Sequence, residues 1–284
     1  MQLCLVIGLL VLTFFGFSVP KLNPTKSQPT LSVVEPEGKA AASIRTDVAW
    51  VGPNQTFHII VSIEPVNGWH FYWKNPGTSG APTEFDVQSP DNFTVGDIIY
   101  PRPISFYSEE GVTHGYKEIA AFFIPVTAPE ELTDGEIKIT VDVYWLACKS
   151  NCVRGTQTLT ISIKTKTEEG PQYKDMVLQQ FQSALPKPIE TLEHTSVVFS
   201  ENAIHITGSA TQKSITFIGE SAKGAKYYLE RIKLIRKQNN FHLTIPVKLN
   251  FDNAGSHIID LEGLLLFGKN KTDPSYVIQK QIVK

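Results

Sequence analysis

The feature that most constrains this chain is an alternation of period two. From Ser32 onward, β-branched or aromatic residues recur at every other position in short runs, at residues 56–63 (TFHIIVSI), 120–126 (AAFFIPV), 137–144 (IKITVDVY) and 158–164 (TLTISIK). A strand turns successive side chains to opposite faces, so such runs are half-buried strands rather than helices. Gly and Pro punctuate them at Gly52-Pro53, Asn75-Pro76-Gly77, Pro101 with Pro103, and Asp134-Gly135. Short strands separated by turn signals at this spacing predict an all-β sandwich.

The alternation breaks once, between Gly170 and Pro188. Pro171 suits a first helical turn, Val177, Phe181 and Leu185 recur at i, i+4 and i+8, and Pro186 and Pro188 stop the run. The spacing predicts one amphipathic connector helix within 168–188. Strands then resume at 196–199, 203–207, 214–218, 241–249 and 256–261. The expected architecture is therefore all-β, with two β-sandwich domains at 32–167 and 189–284 joined by the helix.

Ahead of the strands, residues 3–17 (LCLVIGLLVLTFFGF) form an apolar run followed by Ser18, Val19 and Pro20. The run is shorter than the roughly 20 apolar residues a membrane span needs and fits the core of an export signal. No Lys or Arg precedes it, so 1–18 reads as a signal peptide or an N-terminal anchor. Residues 19–31 read as a Pro-punctuated linker. Lys plus Arg number 26 against 28 Asp plus Glu. The formal charge of -2 gives no electrostatic case for nucleic acid, whose binders carry a basic surplus.

Cysteine usage adds a chemical clue. The chain has three cysteines, and Cys4 lies in the leader, which leaves Cys148 and Cys152 in VYWLACKSNCVR as the sulfur complement of an exported protein. If 141–147 and 153–158 are paired strands, Lys149-Ser150-Asn151 is a three-residue hairpin loop, with Asn151 the best candidate for its left-handed position. Opposed Cα atoms at the loop base lie about 4.5 to 5.5 Å apart, within disulfide reach. A loop of about five residues gains only about 2 kcal/mol from such a bridge, and a chain of this size needs no staple. Spacing leaves a redox-active pair and an inert structural bridge both open. A metal site is disfavoured because only two sulfurs are offered, with His70 and His114 as candidate completing ligands. Lys149 and Arg154 would favour a thiolate if aimed at it.

Residues 68–77 (GWHFYWKNPG), 80–82 (GAP), 100–103 (YPRP), 114–116 (HGY), 124–126 (IPV) and 145–153 (WLACKSNCV) occur in the order seen in one known family. Over about 35–166 the chain resembles the periplasmic N-terminal domain of the DsbD and ScsB thiol:disulfide interchange proteins, with the Cys-x3-Cys spacing of the ScsB-like branch. The resemblance implies that the first sandwich is immunoglobulin-like and that Cys148 and Cys152 are catalytic. Segment 107–116 would be a cap loop, with His114 and Tyr116 in it and Tyr72 beside the pair. It further implies a periplasmic protein, held at the inner membrane where the N-terminal segment stays uncleaved. Its partners would be thioredoxin-fold thiol proteins and a membrane-embedded electron carrier on a separate chain, since this sequence has neither a polytopic segment nor a thioredoxin-like one. No cofactor is implied, and no Ser/His/Asp order or Gly-rich phosphate loop is present. The rival reading is a non-catalytic tandem β-sandwich binding module with a structural disulfide.

Overall fold

Ten strands build the first half of the structure, a computed structural model that describes residues 36–109, 111–220, 225–249 and 258–283. They are β1 Ala40–Thr46, β2 Thr56–Pro65, β3 His70–Gly77, β4 Glu84–Gln88, β5 Thr94–Val95, β6 Ile104–Ser108, β7 Gly111–Tyr116, β8 Ala120–Thr127, β9 Gly135–Cys148 and β10 Cys152–Thr165. One sheet has the order β1-β2-β8-β5; the facing sheet runs β10-β9-β3-β7-β6, with β4 also on β9. The alternation is realised as expected: Phe57, Ile59, Val61 and Ile63 of β2 meet Ile139, Val141, Val143 and Trp145 of β9 in one core. This is an immunoglobulin-like sandwich. Its β1 and β10 edges are joined by a side chain, because the Gln157 amide bonds both the amide and the carbonyl of Ala42, each at 3.0 Å. The expected leader at 1–18 and linker at 19–31 lie outside the described residues.

The helix is shorter than expected, and its buried face keeps Phe181 and Leu185 but takes Leu178 in place of Val177. It runs Met176–Ser183 as α1, capped by Asp175, whose carboxylate accepts the Leu178 amide at 2.8 Å. Leu178, 2% exposed, is its buried residue, and Phe181 and Leu185 pack with it against Ile60, Ala121 and Phe123. Val177, expected on that face, is 51% exposed. The helix begins one turn later than Pro171 suggested, and the apolar stripe becomes Leu178, Phe181 and Leu185. Docked on the outer face of the β2–β8 pair, α1 is a packed element of the first sandwich as well as a connector.

The second half holds β11 Lys187–Pro188, β12 Ser196–Ser200, β13 Ala203–Ser209, β14 Ile215–Gly219, β15 Ala225–Tyr227, β16 Lys233–Lys237, β17 Asn240–Leu249, β18 Ile258–Phe267 and β19 Ser275–Val283. Its sheets are β11-β19-β18-β14 and β12-β13-β17-β15, with β16 also on β17. Strand β18 is buried on both faces. Leu261, Leu265 and Phe267 join the second core, whereas Leu264 and Leu266, with Ile218 of β14, join the core of the first sandwich. That double burial accounts for the unbroken apolar run 264–267, where strict alternation would have left one face wet. The two sandwiches thus share apolar surface within one compact unit, Glu35–Lys284. Among the described residues no helix is long and apolar enough to cross a membrane.

Candidate functional site

The long β9–β10 hairpin brings Cys148 and Cys152 together. They are cross-strand partners, Cα to Cα 4.1 Å, and their sulfurs are bonded. The hairpin is seated by Trp145, whose indole N–H donates to the Gly38 carbonyl at 2.8 Å. Its ring fills the space where a Cβ on the opposite residue, Gly155, would come within 2.3 Å, so only glycine fits there. The turn differs from expectation. Asn151 is absent from the positive-φ residues; instead the Lys149 amide donates to the Asn151 carbonyl at 2.9 Å and the disulfide closes the loop covalently. The Lys149 amine lies over Gly68 in the β2–β3 turn.

The two sulfurs sit in different surroundings. Cys148 is 4% exposed, whereas Cys152, on the edge strand β10, is exposed. Alternation puts Cys148 out of phase with the core residues Trp145 and Ala147, on the sheet's outer face. Opposite it on β3 stands His70, and paired residues of an antiparallel ladder share a face. The His70 ring meets Tyr72 edge-on, centroids 5.3 Å apart, and Phe106 of β6 at 4.6 Å. Burial lowers the His70 pKa and raises that of Tyr72, so both are held neutral near pH 7. Tyr72 is covered in turn by the 78–83 loop. Gly80, at φ +99°, lies so flat on its ring that a Cβ would approach within 2.6 Å, and the Thr83 hydroxyl donates to the Tyr72 carbonyl at 2.6 Å.

Segment 107–116, expected as a loop, is mostly strand. It forms the end of β6 and all of β7, which pair as an antiparallel hairpin; Glu110 lies outside the described residues. The β-branched Val112 and Thr113 and the alternating Ile104 and Phe106 account for the extended form. The hairpin extends the cysteine-bearing sheet: β7 pairs with β3 at Phe71↔Tyr116 and Tyr72↔Gly115, and β6 is the sheet's far edge. His114 is buried within it, Nδ1 3.1 Å from the Ser105 hydroxyl, and burial lowers its pKa to about 4. Tyr116 lies on the core side. Its hydroxyl donates to the Pro101 carbonyl at 2.9 Å, its ring packs on Phe71 and Phe122, and burial pushes its pKa well up.

The structure therefore gathers Cys148, Cys152 and Tyr72 around one outer-face patch. It puts His114 inside the β6–β7 hairpin and Tyr116 at that hairpin's root in the core. Sequence reasoning gave no site role to His70 except as a metal ligand, and none to Phe106. His70 could have been found from its position two residues before Tyr72 on a period-two strand; Phe106 becomes visible only through the fold.

Comparison with known proteins agrees with this geometry. Residues 40–163 match the family described as thiol:disulfide interchange protein DsbD, N-terminal. No curated protein matches the sequence. Among solved structures, the N-terminal periplasmic domain of ScsB from Proteus mirabilis is similar at a TM-score of 0.56 and 17% identity, covering 87% of this chain and 94% of that one. The E. coli chaperone DraB aligns over 85% of this chain and 98% of its own at 10% identity, with a TM-score of only 0.22. The first sandwich is a DsbD/ScsB-like N-domain, and the ScsB alignment reaches well beyond 40–163 to take in much of the second.

Proposed function

We propose that this protein is an exported thiol:disulfide interchange protein, a thiol:disulfide oxidoreductase that works through Cys148 and Cys152. The observation that carries the reading is the asymmetry of the pair: an exposed Cys152 sulfur bonded to a buried Cys148 at the end of an edge hairpin, within a DsbD-like domain. A thiolate of a reduced dithiol partner attacks the Cys152 sulfur, the bond to Cys148 breaks, and Cys148 leaves as a thiolate. The partner's second thiolate then attacks the mixed disulfide and releases Cys152. Two electrons and two protons pass to the pair, and the partner leaves oxidised. In the onward direction Cys152 attacks a substrate disulfide and Cys148 resolves the adduct. Cys148 is buried opposite His70, whose ring packs on Tyr72 and Phe106, so attack falls on the exposed Cys152.

Partners in this reading are periplasmic thioredoxin-fold proteins and a membrane-embedded electron carrier on another chain. Single-cysteine variants test it. Cys148→Ser, which retains the exposed thiol without its resolving partner, should accumulate mixed disulfides with such proteins on non-reducing gels; Cys152→Ser should give few. Absence of adducts from both variants would favour a binding module with an inert bridge.

A further inference from the structure

We infer that the second sandwich anchors the cover over the Cys148 side of the bridge, with Arg102, Lys74 and Asn75 as positioning residues for its exchange reaction. The inference rests on the exchange reading and assigns a role to the half of the chain beyond the cysteine-bearing domain. The cover has two parts, the His70–Tyr72 stretch of β3 and the β6–β7 hairpin that lays Phe106 on His70. Each part is tied to the second sandwich just outside the site.

On β3, two and three residues past Tyr72, the Lys74 amine meets the Glu220 carboxylate at 2.6 Å and the Asn75 amide donates to the Gly219 carbonyl at 2.5 Å. At the root of the hairpin stands Arg102, 4% exposed, four residues before Phe106. Its two terminal nitrogens donate to the carbonyls of Pro274 at 2.8 Å and Gly268 at 2.9 Å, and its backbone amide to Ala184 at 2.9 Å. A buried guanidinium has no water to replace those carbonyls, so the root is strongly held where it is.

The rest of the hairpin is held less firmly. Its ladder to β3 is broken between Tyr72 and Gly77, and β6 is an edge strand. A cleft of about 720 Å³ runs beside it, lined by Ile104, Ser105 and Tyr107 on one side and by Ser214, Lys269 and Asn270 on the other. With open space at its outer edge, the hairpin takes its stance from its root.

The rate at which dithiothreitol reduces the oxidised full chain, followed by thiol trapping and intact mass, tests this whether or not a physiological partner exists. Arg102→Ala should speed reduction by about tenfold or more, the scale of a lost charged hydrogen bond, because a loosened cover lets water reach Cys148 as it leaves as a thiolate and opens that sulfur to attack; Arg102→Lys should fall between it and the unaltered protein. Glu220→Gln, a change confined to the second sandwich and safe for folding, should speed it about two- to fivefold. Ile245→Val, which loosens the second core away from the interface, should leave the rate unchanged. Unaltered rates in both Arg102→Ala and Glu220→Gln would overturn the inference, as would equal acceleration by Ile245→Val. A wild-type bridge that trades no electrons with thioredoxin-fold proteins would instead overturn the exchange reading, with the relative rates still readable.

Discussion

Two hairpins in this molecule close in different ways. In the second sandwich β16 and β17 are joined through Gln238 and Asn239, and Gln238 takes the left-handed conformation at φ 56°. In the first sandwich β9 and β10 are joined through residues 149–151 with no positive φ and a disulfide across the base. The chain can therefore turn a hairpin without a cross-link. The β9–β10 ladder is also the better secured of the two, paired over 14 residues on each strand and seated by Trp145, so the bridge is placed where stability needs it least. The difference teaches that turn closure does not explain the cysteine pair, whereas the exposure of Cys152 beside a buried Cys148 suits exchange.

The largest expected effect breaks the seating of the first hairpin. Gly155→Val forces a side chain into the Trp145 ring and displaces the indole from Gly38, with expected destabilisation of about 3 kcal/mol or more. Urea denaturation of the oxidised protein checks it; an unchanged midpoint would mean that the ring is not fixed there.

A second comparison is set by pH. The folded pKa of His114, about 4, lies below the ordinary value near 6.5, so the unfolded chain binds the extra proton first. Stability is full above about pH 6.5 and falls as the pH drops toward 4, by up to about 3 kcal/mol from this residue. His70, lowered by burial in the same direction, adds to the loss. Denaturation midpoints at pH 7 and pH 4.5 should converge in His114→Gln relative to the unaltered protein. An identical pH dependence in both would show that His114 is solvated.

The smallest effect sharpens the turn comparison itself. Gln238→Gly relieves a left-handed residue and should stabilise by about 1 kcal/mol, whereas Asn151→Gly should bring no gain. Equal stabilisation at both positions would mean that the disulfide-closed turn also holds a left-handed residue.

How much of this was legible beforehand depended on how local each cause is. Alternation in β9 revealed the sandwich because one face of the strand is core and the periodicity records it, whereas β8 buries Phe122 and Ile124 in that core and Ala121 and Phe123 under α1. The apolar run 264–267 gave no such alternation, since the first sandwich covers the face that an isolated β18 would leave in water. On the helix, Phe181 and Leu185 follow the expected stripe, but its first member is Leu178 rather than Val177, because i+3 and i+4 spacings both fit a helix face and one turn of an eight-residue helix does not choose between them. The cysteine pairing followed from hairpin spacing, but the turn's backbone did not, because a covalent bond replaced the residue preference being read. Phe106 against His70 and Arg102 against the 268–274 loop join positions far apart in the chain, and no local pattern announces them.

The central claim is that the Cys148–Cys152 bridge exists to exchange electrons. Equilibrating the full chain with glutathione or dithiothreitol buffers of defined poise, then quenching and counting free thiols by mass, gives its reduction potential directly. An exchanging pair should titrate above about -300 mV, in the range where thioredoxin-fold proteins trade electrons. A potential below about -300 mV, the region of structural disulfides in secreted proteins, would contradict the account.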